Sequence, residues 1–250
     1  MGTRITDLSK FRVSCENCNL AELCLPRGLS LDELEALEGI VKRTNPVNKG
    51  DYIFRVGDKF NALYAVRSGT VKQYTIIDNG DDQVLGFYFP GEIIGFDAIS
   101  SGIHRCSAVA LETSSFCTIS YTRLENICNQ LPGLQKQLLI LMSRELSADH
   151  EMLATLCNRN ADEKVLIFLL NLSNRFRQRG YASSEFKLAM SRQDIGNYLG
   201  MSIETVSRTF GKLQKENLVS VNNKTVKILD MIKLEQLCKG GDGNRIARTI

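Results

Sequence analysis

Apolar positions early in the chain recur at helical spacing, and the period then changes. Over residues 29–45, Leu31, Leu34, Leu37 and Ile40/Val41 step by three or four; Ser30 stands at the N-cap and Glu33 at the matching capping-box position. A short helix is predicted there. From Pro46 to Ser120 short stretches such as "YIFRV", "ALYAV", "TVKQYTII", "QVLGFYF" and "FCTIS" are rich in β-branched and aromatic residues. Gly57, Gly69, Asn79-Gly80, Gly91 and Gly102 punctuate them. Many short strands with closely spaced turn signals predict a compact antiparallel barrel or sandwich. Pro132 suits the first turn of a long helix over residues 131–159. Within it Leu139, Met142, Leu146, Asp149, Leu153 and Leu156 step by 3, 4, 3, 4 and 3. That is a coiled-coil seam with one acid in its middle, and it predicts a homodimer; the alternative is a helix packed on its own barrel. Two Asp149 carboxylates brought together in such a seam would oppose association, so the dimer is expected to be marginal.

Asn160 and Glu163 form a second capping box, opening a helix to about Arg179 with Val165, Leu169, Leu172 and Phe176 inward and Gly180 at its end. After a short strand, "FKLAM", comes "SRQDIGNYLGMSIETVSRTFGKLQKENLVSV". Ser191 caps one helix, Gly200 allows the turn that ends it, and Ser202 caps a second over about 203–216. Small Gly196 stands where the two helices would cross, the grammar of a helix–turn–helix. On the second helix Val206, Phe210 and Leu213 must point inward. Glu204, Ser207 and Arg208 lie opposite, with chemistry that suits base edges in a major groove. Lys212 and Lys215 are placed for phosphates. The bland alternative for Glu204 and Arg208 is a surface ion pair. Two strands in "LVSVNNKTVKIL", around Asn222-Asn223, predict a wing.

Charge sharpens this. The chain carries 31 Lys/Arg and 28 Asp/Glu, divided as 16 and 19 over residues 1–160 (net −3) and 15 and 9 over 161–250 (net +6). A basic end behind an acidic front suits a polyanionic partner, double-stranded DNA. No apolar run approaches the roughly 20 residues that span a bilayer, and "MGTRITDLSKFRVS" does not read as a signal peptide. A cytoplasmic protein without a membrane partner is expected, in which the eight cysteines stay reduced. No Ser/His/Asp constellation is visible and no enzymatic role is expected; His104 and His150, the only histidines, are expected at the surface.

Three of the cysteines, Cys15, Cys18 and Cys24, cluster in "SCENCNLAELCLPRG". Soft thiolates suit an iron–sulfur cluster or zinc, and spacing alone does not choose. Three are one short of a tetrahedral set. Cys106 and Cys117 both fall in the strand-rich region, while Cys128 and Cys157 sit in apolar helical contexts that suit small buried side chains.

The order of parts resembles the Crp–Fnr family of bacterial transcription regulators, and "DIGNYLG", "ETVSR", "LYAVRSGTVKQYTI" and "GFDAI" are similar to its oxygen-sensing branch. The resemblance implies an α+β fold: a cyclic-nucleotide-binding-like antiparallel β-roll, a long dimerisation helix and a C-terminal winged helix–turn–helix. In residues, 1–28 would be the cluster-binding segment, 29–130 the β-roll, 131–160 the dimer helix and 161–250 the DNA-binding domain. It implies a [4Fe–4S] cluster, with [2Fe–2S] as a form left by air, held by Cys15, Cys18, Cys24 and, through "ETSSFC", Cys117. It implies that the cluster promotes dimerisation and that oxygen destroys it. Glu204, Ser207 and Arg208 match the base-reading E-x-x-S-R, and Ser68, Gly80 and Asp81 match surfaces that touch RNA polymerase. One departure is informative: in "GFDAISSGIHRCSA", Phe96-Asp97 replaces the Glu-Leu of the nucleotide receptors, and Arg105 is followed by Cys. Arg105 keeps a cAMP-binding alternative, and the second reading is a small-molecule-gated regulator whose cysteines hold a structural zinc.

Overall fold

A computed structural model describes residues 15–77 and 80–239. Residues 1–14, 78–79 and 240–250 lie outside it, and with them the Asn79 half of the expected Asn79-Gly80 turn. Helix α1 (Leu31–Ile40) begins on the expected capping box, the Ser30 hydroxyl accepting the Glu33 N–H and the Glu33 carboxylate accepting the Ser30 N–H. It ends five residues earlier than the 29–45 expectation. Val41–Arg43 instead forms β1, whose backbone groups pair antiparallel with β8 (Ser115–Ser120). Tertiary pairing overrides the helical spacing there.

The strands β2 (Tyr52–Phe54), β3 (Ala62–Ser68), β4 (Val71–Ile76), β5 (Asp82–Tyr88), β6 (Ile93–Ile94) and β7 (Ser107–Ala110) complete the roll. Two four-stranded antiparallel sheets result, ordered β1-β8-β3-β6 and β2-β7-β4-β5. Phe54, Val66, Val71, Ile94, Ala108 and Phe116 fill the core they share. A second core lies at the base of the roll. There Leu25, Leu37, Leu63, Ile119, Leu124 and Leu134 bring together the cysteine segment, α1, α2 (Tyr121–Cys128) and the start of α3 (Pro132–Asn158).

The C-terminal part comprises α4 (Ala161–Gln178), β9 (Glu185–Lys187), α5 (Arg192–Leu199), α6 (Ile203–Lys215), β10 (Val219–Asn222), β11 (Thr225–Ile228) and α7 (Met231–Lys239). Capping boxes open α4 and α5, and Ser202 caps α6. Gly200 takes the left-handed conformation that ends α5. A Cβ at Gly196 would lie 2.6 Å from the Met201 carbonyl, so only glycine lets the helices cross this closely. The wing turns at Asn223-Lys224, one residue later than expected, because Asn222 pairs with Thr225 and Asn223 takes a positive φ. Its core is continuous with the roll through Val84, Phe87 and Phe89.

Two expectations are corrected. His104 is buried, stacked on Phe54 with ring centroids 3.7 Å apart and its Nδ1 3.4 Å from Asp97: the ring faces are apolar enough for a core, and the carboxylate serves the nitrogen. Cys157 is exposed, because it lies one turn beyond exposed Leu153 on the solvent face of α3, whereas Cys128 is buried as expected. Among the described residues no helix is long and apolar enough to cross a membrane.

Candidate cysteine centre and nucleic-acid interface

The cysteine segment is wound by its own backbone. The Cys18 N–H donates to the Cys15 carbonyl (3.3 Å), Ala21 to Cys18 (3.0 Å) and Cys24 to Leu20 (3.1 Å), around a short 3-10 turn at Ala21–Leu23. Two buried leucines, Leu20 and Leu25, flank it. One Glu38 oxygen accepts the N–H groups of Cys15 (2.5 Å) and Glu16 (3.3 Å), tying the segment to α1. Gln137, buried on α3, donates to the Cys24 carbonyl at 3.4 Å. Neither anchor was singled out in the sequence, where only a carboxylate and an amide at otherwise ordinary helix positions mark them.

Cys117 lies on β8 in register between Arg43 of β1 and Ala65 of β3. Directly opposed residues share a face with Cβ atoms about 5 Å apart, and small Ala65 leaves the space over Cys117 open. Cys15, Cys18, Cys24 and Cys117 therefore line one cavity, with Arg43 and Arg67 also in its wall. Cys106 is elsewhere: it is buried in the core between the sheets beside Asp97. The structure thus brings together the four cysteines of the expected set and leaves out the rival.

Burial, and then the neighbouring Cys117 sulfur, pushes the Cys15 thiol up to about 12. Burial likewise raises Cys24 to about 12, against the Leu25 N–H. Cys117 is raised by burial and by Cys18, with Arg43 and Arg67 opposing. Crowded, desolvated thiols of this kind give up their protons when a cationic group takes the protons' place. Among the described residues no three His, Cys, Asp or Glu side chains are grouped closely enough for a single metal ion.

At the other end, Glu204, Ser207 and Arg208 are all exposed on α6, while Val206, Phe210 and Leu213 are buried beneath them. The surface ion pair does not form; an Arg208 nitrogen lies 3.5 Å from the Thr205 hydroxyl instead. Lys212, expected at phosphates, is held 2.5 Å from Asp162 of α4. Lys215 is exposed. On α3, Leu139, Leu146 and Leu153 are 60, 57 and 59% exposed, a solvent-facing leucine row one heptad apart, with Met142 and Leu156 half-buried beside it and Asp149 exposed. Ser68 ends β3, its hydroxyl 2.7 Å from that of Ser115. Gly80 and Asp81 are exposed beside the β4–β5 connection, on the other sheet.

Residues 44–131 match the cyclic nucleotide-binding domain family, and residues 163–237 match the Crp-like helix-turn-helix domain. Over 226 residues the chain is 46% identical to the transcriptional activator protein Anr of Pseudomonas aeruginosa, covering 90% of this chain and 93% of that one. It is 44% identical over 225 residues to the fumarate and nitrate reduction regulatory protein of Escherichia coli, covering 90% of each. FixK2 from Bradyrhizobium japonicum shares the fold, with a TM-score of 0.74 at 24% identity over 83% of this chain and all of that one.

Proposed function

The chain belongs to the Crp–Fnr family of DNA-binding transcription regulators, and we propose that it is an oxygen-responsive member controlled by a [4Fe–4S] cluster on Cys15, Cys18, Cys24 and Cys117. The observation that carries this reading is that one short segment and a distant strand contribute all four thiols to one cavity. Four soft thiolates suit a cluster or zinc alike, and the resemblance to the oxygen-sensing branch of the family favours the cluster. Bound there, the cluster supplies a tie between segment and roll that oxygen removes.

The chain's own residues carry the consequence. Glu38 holds the start of the segment to α1, and Leu25 packs its end into the core that seats Leu134 of α3. Segment position therefore bears on the base of the dimer helix. Leu139, Met142, Leu146, Leu153 and Leu156 supply the seam of a homodimer, and paired Asp149 carboxylates weaken it enough that the segment's state decides. Pairing places two α6 helices about 34 Å apart, one DNA turn. Glu204, Ser207 and Arg208 then read base edges in each half-site of a two-fold symmetric promoter, and Ser68, Gly80 and Asp81 face RNA polymerase. The protein acts in the cytoplasm and catalyses no reaction.

Anaerobic purification tests this. The expected product is brown, carries about four irons with matching sulfide per chain, and bleaches in air with loss of dimer and of DNA affinity. A colourless protein with one zinc and the same affinity in air would overturn it. On the DNA side, Arg208→Ala is expected to cost about 1–3 kcal/mol at the specific site and to relax base preference there. Lys215→Ala should weaken all sequences alike and lower the salt slope by about one. Competition binding at several salt concentrations separates the two.

A further inference from the structure

Three parts of the molecule meet at one tight turn. Between β5 and β6 the chain runs Tyr88-Phe89-Pro90-Gly91-Glu92, closed by the Glu92 N–H on the Phe89 carbonyl (3.0 Å) and by the Glu92 carboxylate accepting the Phe89 N–H (2.9 Å). Gly91 pins the turn to the roll by donating to the Val66 carbonyl (2.8 Å).

The first contact is with the cysteine segment. Gly91 has φ +93°, and a Cβ there would lie 2.7 Å from Cβ of Leu23, the residue before Cys24. Leu23 thus rests on bare backbone. The second is with the dimer helix, where the Tyr88 hydroxyl donates to Glu145 of α3 (2.5 Å). The third is with the DNA-binding domain. Arg175 of α4 and Arg179, the C-cap of that helix, both grip the Glu92 carboxylate, Arg175 also donating to the Phe87 carbonyl (2.5 Å) and Arg179 to the Pro90 carbonyl (2.7 Å). The Arg175 guanidinium lies 4.5 Å from the Phe89 ring centroid. Two further bonds extend this docking from β4 and β5 to α5: Lys72 to Asp194 (2.9 Å) and Gln83 to the Asn197 carbonyl (2.7 Å).

We propose that the turn at residues 88–92 relays the state of the cysteine segment to the DNA-binding domain, Gly91 being the seat of the segment and Glu92 the grip on α4. This rests on the reading of that segment as the sensing element. With its backbone fixed on both sides, the turn has little freedom to absorb a shift of Leu23 locally. Arg175 and Arg179 carry its tilt into α4, and the shared core of Leu169, Val206 and Phe210 carries α4 into α6. The DNA-binding domain is oriented from the roll directly, alongside any effect of dimerisation through α3.

The test uses the full chain, reconstituted anaerobically with iron and sulfide, and two variants. Leu23→Ala removes the seat from the segment's side without straining Gly91. Arg175→Lys keeps the charge but loses the fork that reaches Glu92 and Phe87 together, and it is remote from the thiols. In the unaltered protein, loading is expected to raise affinity for a two-fold symmetric duplex about 5–150-fold and to change hydrogen exchange over residues 175–179. Each variant should take up iron and sulfide normally and gain the same dimer by sedimentation. Its gain in DNA affinity should fall by at least about fivefold, to what dimerisation alone supplies, with exchange at 175–179 no longer responding. An undiminished gain in Arg175→Lys would overturn the relay and assign the signal to α3 alone. Failure of the unaltered protein to take up iron would overturn the sensing reading, and the relay with it.

Discussion

Cys117→Ala is expected to hold no cluster after anaerobic reconstitution: iron and sulfide at background, no colour that air removes, and DNA affinity at the unloaded level. Cys106→Ala is expected to retain iron and sulfide near the unaltered stoichiometry. The contrast follows from the two faces of a strand, since successive side chains point to opposite sides. On β8, Phe116 points into the core between the sheets, whereas Cys117 and Ile119 share the face toward the cysteine segment. Cys106 sits in the inter-sheet core with Phe54 and Ala108, the roll's own wall between it and the segment. Removing a thiol from the cavity deletes one of four donors, while removing the buried Cys106 costs packing alone. The reverse outcome, cluster lost in Cys106→Ala and kept in Cys117→Ala, would sink the assignment of the cavity.

Glu92→Ala is expected to be the most destabilising single change at the junction between roll and DNA-binding domain. Arg179 is only 3% exposed at its side chain and Glu92 25%, so the alanine would strand two cations in a poorly solvated interface. Breaking a buried pair from one side costs about 3–5 kcal/mol, and for a chain of this size that lowers the thermal midpoint by roughly 10 °C. Glu185→Ala removes the exposed pair with Lys227, about half exposed at both ends, and is expected to cost under about 1 kcal/mol. Calorimetry of the two variants makes the comparison, and equal midpoints would contradict it. The same pair has a pH signature. Burial alone would raise the Glu92 carboxyl, but Arg175 and Arg179 outweigh it and hold it below the usual carboxylate range. Its stabilisation is therefore complete above the unfolded value of about 4.3 and is lost as pH falls through the lower folded value. Glu92→Gln should flatten this part of the acid-unfolding curve.

Local features of the fold were legible because their causes are local. Ser30, Asn160, Ser191 and Ser202 each cap the helix they were expected to cap, since a cap needs only its own side chain and the next turn's N–H groups. Gly196 and Gly200 announced the helix–turn–helix for the same reason, and the alternation along α6 placed Glu204, Ser207 and Arg208 outside. Local pattern misleads where distant chain decides. Val41–Arg43 continues a helical spacing yet pairs with β8, and His104 carries a polar ring that the Phe54 face and Asp97 make room for.

The cysteine centre divides along the same line. By itself the sequence determined the C-x2-C-x5-C segment, the chemistry of its thiols and the spacing that leaves one donor wanting. It also determined the reading face of α6 and the leucine row of α3, because each repeats within a few residues along one element. Which cysteine completes the set is open between Cys106 and Cys117 on residue type alone; the resemblance at "ETSSFC" selects Cys117, and strand parity with the β1-β8-β3 register supplies the physical reason. Glu38 and Gln137 as anchors, and the turn at 88–92 as a meeting point, were decided by tertiary structure alone. Their partners lie 23 to 113 residues away, and contacts at that separation are set by how sheets and helices pack, not by any period written along the chain.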